Sequence, residues 1–118
     1  MTKILIAEDE KAIASALATK FKAEGYEVDL AEDGEIAIEK VQKGGIDLLI
    51  LDLMMPKKDG FQVLEELKKA GNTTNVVVAS NLSQESDINK VKELGAKDFF
   101  VKSDTPLAEI CELIKKYI

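Results

Sequence analysis

Residues 48–60 read LLILDLMMPKKDG, and this stretch decides the fold. Four apolar residues in a row, Leu48 to Leu51, leave no wet face, so they read as a strand buried on both sides. An acid, Asp52, follows at once. A turn-forming run then closes on Asp59-Gly60, with Asp59 placed to cap a helix carrying Phe61, Leu64 and Leu67. Strand, polar end, then helix is the repeating unit of a parallel sheet.

The same unit recurs on both sides. Ile4-Leu5-Ile6-Ala7, Val76-Val77-Val78-Ala79 and Phe99-Phe100-Val101 are further buried runs, whereas Tyr26 to Leu30 alternates like an edge strand with one wetter face. Helical spacing fills the intervals. Ile13, Leu17 and Phe21 precede Gly25, and Ile36 to Val41 precedes Gly44-Gly45. Phe61 to Leu67 precedes Gly71, and Ile88, Val91 and Leu94 precede Gly95. The spacing predicts a last helix that opens with Thr105 as cap and Pro106 as first helical residue, carrying Leu107, Ile110, Cys111 and Ile114. Five strands alternating with five helices predict a three-layer α/β domain with right-handed crossovers, one domain over residues 1–118. Periodicity alone does not give the strand order.

Composition narrows the chemistry. At 118 residues and 46% apolar content, the chain suits a single core that buries roughly two-thirds of its unfolded surface. Its formal charge is −6, and all 16 basic residues are lysine, a poor match to the basic stripes and guanidinium contacts of nucleic-acid recognition. The absence of histidine excludes a Ser-His-Asp triad, a His-ligated metal and a phosphohistidine carrier. One cysteine, Cys111, closes no bridge within the chain. No apolar run approaches the ~20 residues of a bilayer span, and the first residues are too short for a signal peptide. The expectation is a cytoplasmic protein without direct membrane contact.

In open α/β sheets, ligands collect at the carboxyl ends of the strands. The first strand ends in Glu8-Asp9, the third in Asp52, the fourth in Ser80 and the fifth in Lys102. If the first and third strands are neighbours, three carboxylates meet opposite one lysine and one hydroxyl. Crowded anions repel, and one is pushed towards its neutral form unless a cation intervenes; Lys102 offsets one charge and a divalent ion would offset the other two. Mg²⁺ is the natural candidate, since it typically uses one or two carboxylates together with waters and a phosphate.

This ordered set (Glu8-Asp9, Asp52 through Gly60, Ser80, Lys102) resembles the receiver domains of two-component response regulators, and is similar to the single-domain chemotaxis type. The resemblance implies a flavodoxin-like fold with strand order 2-1-3-4-5. It implies Asp52 as phosphoacceptor, Asp9 and Asp52 as metal ligands with the Met54 backbone carbonyl, and Glu8 orienting ligand waters. Ser80 would be the switch hydroxyl, Lys102 the partner of Asp52 or its phosphoryl group, and Phe99 the aromatic that moves inward with the switch. For each there is a plainer reading: a strand-end Asp or Ser, acids favouring a helix N-terminus, a solvated lysine, a core Phe. The Met54 side chain borders the site, and Met55 reads as core filler. Pro56 is expected to end the strand, and Gly60 to allow close packing. Two positions depart from the family pattern. Asn81 stands where most relatives carry a small residue, which makes it a site-tuning candidate, and Ser103 stands where they carry proline, usually on a cis bond. A non-proline cis bond costs about 2.5–4 kcal/mol, so a trans turn is expected there.

The function implied is phosphoryl transfer from a partner's phosphohistidine, on a histidine kinase or phosphotransfer protein, to Asp52. Self-catalysed hydrolysis would reset a switch that processes its own phosphoryl group rather than turning over a substrate. Readout would pass to a downstream protein through helix 4, strand 5 and helix 5, where Leu113 and Tyr117 lie. A monomer is expected at rest, with dimerisation on activation left open. A receiver-like interaction module that works without phosphorylation is the alternative that Asn81 and Ser103 motivate. A haloacid-dehalogenase-like phosphatase lacks support, because Met54 stands where that family has a second Asp. A flavin-type cofactor carrier lacks support too, because acids replace a phosphate-cradling loop after the first strand.

Overall fold

The structure is a computed structural model that describes residues 1–82 and 84–118. Its elements run β1 (Lys3–Ala7), α1 (Lys11–Ala23), β2 (Glu27–Ala31), α2 (Gly34–Gln42), β3 (Leu48–Leu51), α3 (Gly60–Lys69), β4 (Asn75–Ser80), α4 (Glu85–Glu93), β5 (Asp98–Val101) and α5 (Leu107–Ile114). Short 3₁₀ turns at Lys102–Asp104 and Lys115–Tyr117 follow β5 and α5. All strand pairs are parallel, in the order β2-β1-β3-β4-β5.

Strand alternation divides the apolar residues between two cores. Ile4, Ile6, Leu48, Ile50 and Val77 face α1 and α5, against Leu17, Phe21, Ile110 and Ile114. Leu5, Leu49, Leu51, Val76 and Val78 face α2, α3 and α4, against Val41, Val63, Leu67 and Val91. Three of the runs are therefore the buried central strands β1, β3 and β4, and the alternating run is the edge strand β2. The fourth run, Phe99-Phe100-Val101, is corrected to the other edge strand, β5, where only Phe100 is buried because no strand covers its outer side. Each fully buried Leu or Ile contributes roughly 1.5–3 kcal/mol.

The helix ends follow local chemistry. Asp59 caps α3 through a reciprocal box: its side chain accepts from Gln62 N–H at 2.9 Å, and Gln62 Oε1 accepts from Asp59 N–H at 2.9 Å. Two expectations need correction. Thr105 is not the cap of α5. Its hydroxyl donates to the Val101 carbonyl at 2.8 Å, which ties it back to β5, so Pro106 takes the cap position and α5 begins at Leu107. Pro56 does not end a strand either. β3 stops at Leu51, Asp52 adds one last ladder bond before the chain bends at Leu53, and Pro56 instead opens a tight turn in the β3–α3 loop. There Lys58 N–H donates to the Pro56 carbonyl at 2.8 Å across Lys57, whose φ of 68° lies in the left-handed region.

Candidate functional site

Register alone brings the acids together. Ala7 is paired with Leu51, so the residues that follow, Glu8 and Asp52, leave adjacent central strands at the same level. The Asp52 N–H donates to the Ala7 carbonyl at 3.0 Å and continues the ladder one step past the strand. One oxygen from each of Glu8, Asp9 and Asp52 falls within 4.8 Å of the others. Glu8 and Asp52 are buried and Asp9 is exposed, so the group opens to solvent on one side.

Lys102, the residue after β5, reaches across from the far side of the sheet end. Its ammonium donates to Glu8 Oε1 at 2.6 Å and to Asp52 Oδ2 at 3.0 Å. The lysine expected to pair with Asp52 is thus shared between two acids. Its pairing with Glu8 was not legible in the sequence, because either acid at the end of β1 would have suited it. Burial pushes the Glu8 carboxyl up to about 7. Lys102 opposes that rise, and the neighbouring Asp52 adds to it. Burial works against the charge on Lys102, but Glu8 and Asp52 together hold its value above the ordinary one. One ammonium among three carboxylates leaves the group short of positive charge, which suits it to a divalent cation.

The other expected residues surround this centre. Ser80 ends β4 wholly buried, and its hydroxyl oxygen accepts from Leu82 N–H at 3.2 Å. Phe99, one residue before the buried Phe100, is half-buried against the α2–α4 core. Met54 N–H donates to Asp52 Oδ1 at 3.2 Å, while the residue as a whole is 58% exposed at the rim. Asp9, Glu10, Asp52, Met54, Asn81 and Lys102 line a cleft of about 150 Å³. Asn81 also reaches the β5–α5 loop, where its Oδ1 accepts from Ser103 N–H at 3.0 Å. No cis peptide occurs among the described residues, so the turn after Lys102 is trans as expected.

Two contributors, Gly34 and Asp33, were missed in the sequence, and the partner of a third, Gly60, was not foreseen. Gly60 sits against the backbone of the site: a Cβ there would lie 2.6 Å from the Asp52 carbonyl oxygen and 2.7 Å from Leu53 Cα. Gly34 packs on the same loop from α2, where a Cβ would lie 2.0 Å from the Lys58 carbonyl oxygen. Asp33, buried beside it, caps α2 by accepting from Ile36 N–H at 2.9 Å. Close packing was expected of Gly60, but its partner, the carbonyl of Asp52 itself, was not. An Asp-Gly pair before an apolar period was the available signal at residues 33–34.

With fold and cleft described, comparison with known proteins gives the class. The response regulator receiver domain family matches residues 4–115, and the chain belongs to that family. It is similar to the transcriptional regulatory protein DltR of Streptococcus agalactiae, with 39% identity over 111 residues covering 92% of this chain and 50% of that protein. It is also similar to response regulator RR06 of Streptococcus pneumoniae, 41% identical over 99 residues, covering 84% of this chain and 45% of that protein. The chain thus spans about half the length of these curated relatives. Among solved structures, the receiver domain of Francisella response regulator 1452 superposes with a TM-score of 0.93 at 28% identity, covering 99% of this chain and 96% of that one. TrrA of Thermotoga maritima, solved in complex with Mg²⁺ and BeF, superposes with a TM-score of 0.87 at 32% identity, each chain covered completely at 100%. The fold is therefore the receiver fold. No helix among the described residues is long and apolar enough to cross a membrane.

Proposed function

We propose that residues 1–118 act as a single phosphorylatable receiver domain with Asp52 as the acceptor. The observation that carries this reading is the cleft at the strand ends, where Glu8, Asp9 and Asp52 converge within 4.8 Å and Lys102 bridges two of them. An Asp52 carboxylate oxygen attacks the phosphorus of a partner's phosphohistidine. The P–N bond breaks, and its electron pair leaves with the imidazole. Water later attacks the same phosphorus, the P–O bond to Asp52 breaks, and inorganic phosphate leaves with the carboxylate restored.

The donor set is all oxygen, which fits Mg²⁺ rather than a soft metal. Asp9, Asp52 and the Met54 carbonyl would hold the ion, with Glu8 orienting its waters. When bound, the ion supplies charge neutralisation for the phosphoryl oxygens. Lys102 then turns one of its N–H donors to the phosphoryl group, and the Ser80 hydroxyl moves to meet another oxygen with Phe99 following it inward. The added charge and acceptors favour the arrangement in which these donors are engaged, so phosphorylation acts as a population shift. The partner upstream is a histidine kinase or histidine phosphotransfer protein. Downstream, the α4–β5–α5 face, with half-buried Leu113 and Tyr117, carries the readout to a protein target. The similarity to transcriptional regulators about twice this length is consistent with that target being an effector unit.

Calorimetric titration with BeF₃⁻, a phosphoryl mimic, tests the reading. Wild type is expected to bind it only when Mg²⁺ is present, and Asp52→Asn is expected not to bind. Equal binding by both proteins, or none by wild type, would favour an interaction module that works without phosphorylation.

A further inference from the structure

Asn81 and Ser103 are joined by a hydrogen bond that fixes which end of the Asn81 carboxamide is available to the cleft. The Ser103 backbone N–H can only donate, so the oxygen of Asn81 must face it, and it does at 3.0 Å. The acceptor end of the side chain is thereby occupied. Its NH₂ end, with two donors and no acceptor capacity, is what remains for a ligand. Asn81 lines the same 150 Å³ cleft as Asp52, Asp9 and Lys102. By the roughly 10–15 Å³ a single water occupies on this measure, the cleft has room for several water-sized groups.

A phosphoryl group on Asp52 would bring three acceptor oxygens into a cleft whose nearest side chains are mostly acceptors. Lys102 has three N–H donors, and two of them are engaged by Glu8 and Asp52. Ser80 offers one hydroxyl proton. Met54 N–H is engaged by Asp52 Oδ1. A carboxamide whose NH₂ has no hydrogen-bond partner among the described residues adds the kind of donor the cleft is short of. An unconstrained Asn would present either end equally well, and half of its orientations would set an oxygen against the phosphoryl group.

We infer that Asn81 is a phosphoryl-binding residue whose NH₂ is oriented by the backbone N–H of Ser103, and that Ser103 acts as its positioning partner. The hydrogen bond makes the two positions one device, since proline at 103 would have no N–H to offer. This inference rests on the reading of Asp52 as acceptor and specifies a further group that meets the phosphoryl oxygens.

The test is Mg²⁺-dependent BeF₃⁻ affinity in Asn81→Ala, Asn81→Asp, Ser103→Pro, Ser103→Ala and the double variant Asn81→Ala/Ser103→Pro. A parallel measurement of Ser103 amide exchange is made in metal-free protein. Asn81→Ala is expected to weaken binding about tenfold, the scale of a hydrogen bond to a charged group. Asn81→Asp is expected to weaken it further, because its carboxylate keeps the bond to Ser103 but turns an oxygen to the anion. Ser103→Pro should weaken binding less than Asn81→Ala, and Ser103→Ala, which keeps the N–H, should match wild type. The double variant should bind no more weakly than Asn81→Ala alone. In the metal-free protein, Asn81→Ala should speed exchange of the Ser103 amide. Wild-type affinity in Asn81→Ala, additive losses in the double variant or unchanged exchange would overturn the inference. Failure of wild type to bind, or binding retained by Asp52→Asn, would instead remove the acceptor reading beneath it.

Discussion

Glu8 carries a marked electrostatic tension. It is nearly fully buried beside Asp52, and Lys102 at 2.6 Å only partly offsets its burial. Its folded value of about 7 lies above the ordinary 4.5, so between these the folded state holds a proton that the unfolded chain has released. In the absence of divalent cations, folding stability is therefore expected to fall as pH rises from about 4.5 through 7, by roughly 1–3 kcal/mol from this group. Urea unfolding at pH 5 and pH 8 in EDTA checks this: wild type should lose stability relative to Glu8→Gln across that interval. Saturating Mg²⁺ should abolish the difference, because metal binding favours the ionised carboxylates. Identical pH dependence in the two proteins would contradict it. At this scale the sequence showed which residues gather but not how they pair. Glu8, Asp9, Asp52, Ser80 and Lys102 each follow an apolar run, which marks a strand end. The sharing of Lys102 and the bond from Asn81 to Ser103 depend on side-chain reach and on a backbone N–H, and neither leaves a pattern in the sequence.

The β3–α3 loop is the element that sets Asp52 against the rest of the site, and two glycines hold it. Gly60 lets the start of α3 approach the Asp52 carbonyl, where a Cβ would be 2.6 Å from the oxygen. Gly34 lets α2 approach Lys58 from the other side. Between them, Lys57 is held at a φ of 68°, a region that disfavours lysine by on the order of 1 kcal/mol and persists only where the surroundings enforce it. Gly60→Ala is expected to destabilise the fold by about 1–3 kcal/mol, because its close neighbours are backbone atoms that yield only by moving the loop. It should also weaken Mg²⁺-dependent BeF₃⁻ binding. Ala70→Gly, in the exposed C-cap of α3, serves as a comparison that leaves BeF₃⁻ binding unchanged. Denaturant midpoints and calorimetry check both effects, and a Gly60→Ala protein as stable as wild type would contradict the close-packing reading. The elements themselves were mostly readable. Gly25, Gly44, Gly71 and Gly95 stand just past helix ends at positive φ, as their places after periodic segments suggested. The start of α5 was not readable, because a Thr-Pro pair fits a cap as well as it fits the tie from Thr105 to Val101.

For the whole molecule, apolar patterning was enough for the layers but not for the order of the strands. Buried runs can be shuffled within a parallel sheet without changing their pattern, so the order 2-1-3-4-5 follows from the family resemblance and, physically, from the four parallel strand pairings, of which Ala7 with Leu51 joins β1 to β3. That order is what the proposed chemistry needs, since it sets the ends of β1 and β3 side by side and brings Lys102 in from β5. The central claim is that this arrangement places one phosphoryl group on Asp52. The most direct measurement is intact mass, followed by peptide mapping, after incubation with a small phosphodonor, with and without Mg²⁺, for wild type and Asp52→Ala. A gain of one phosphoryl mass in wild type, mapped to the peptide containing Asp52 and lost without Mg²⁺ or in the variant, is the expected result. A phosphoryl group carried elsewhere, or a gain undiminished in Asp52→Ala, would contradict it.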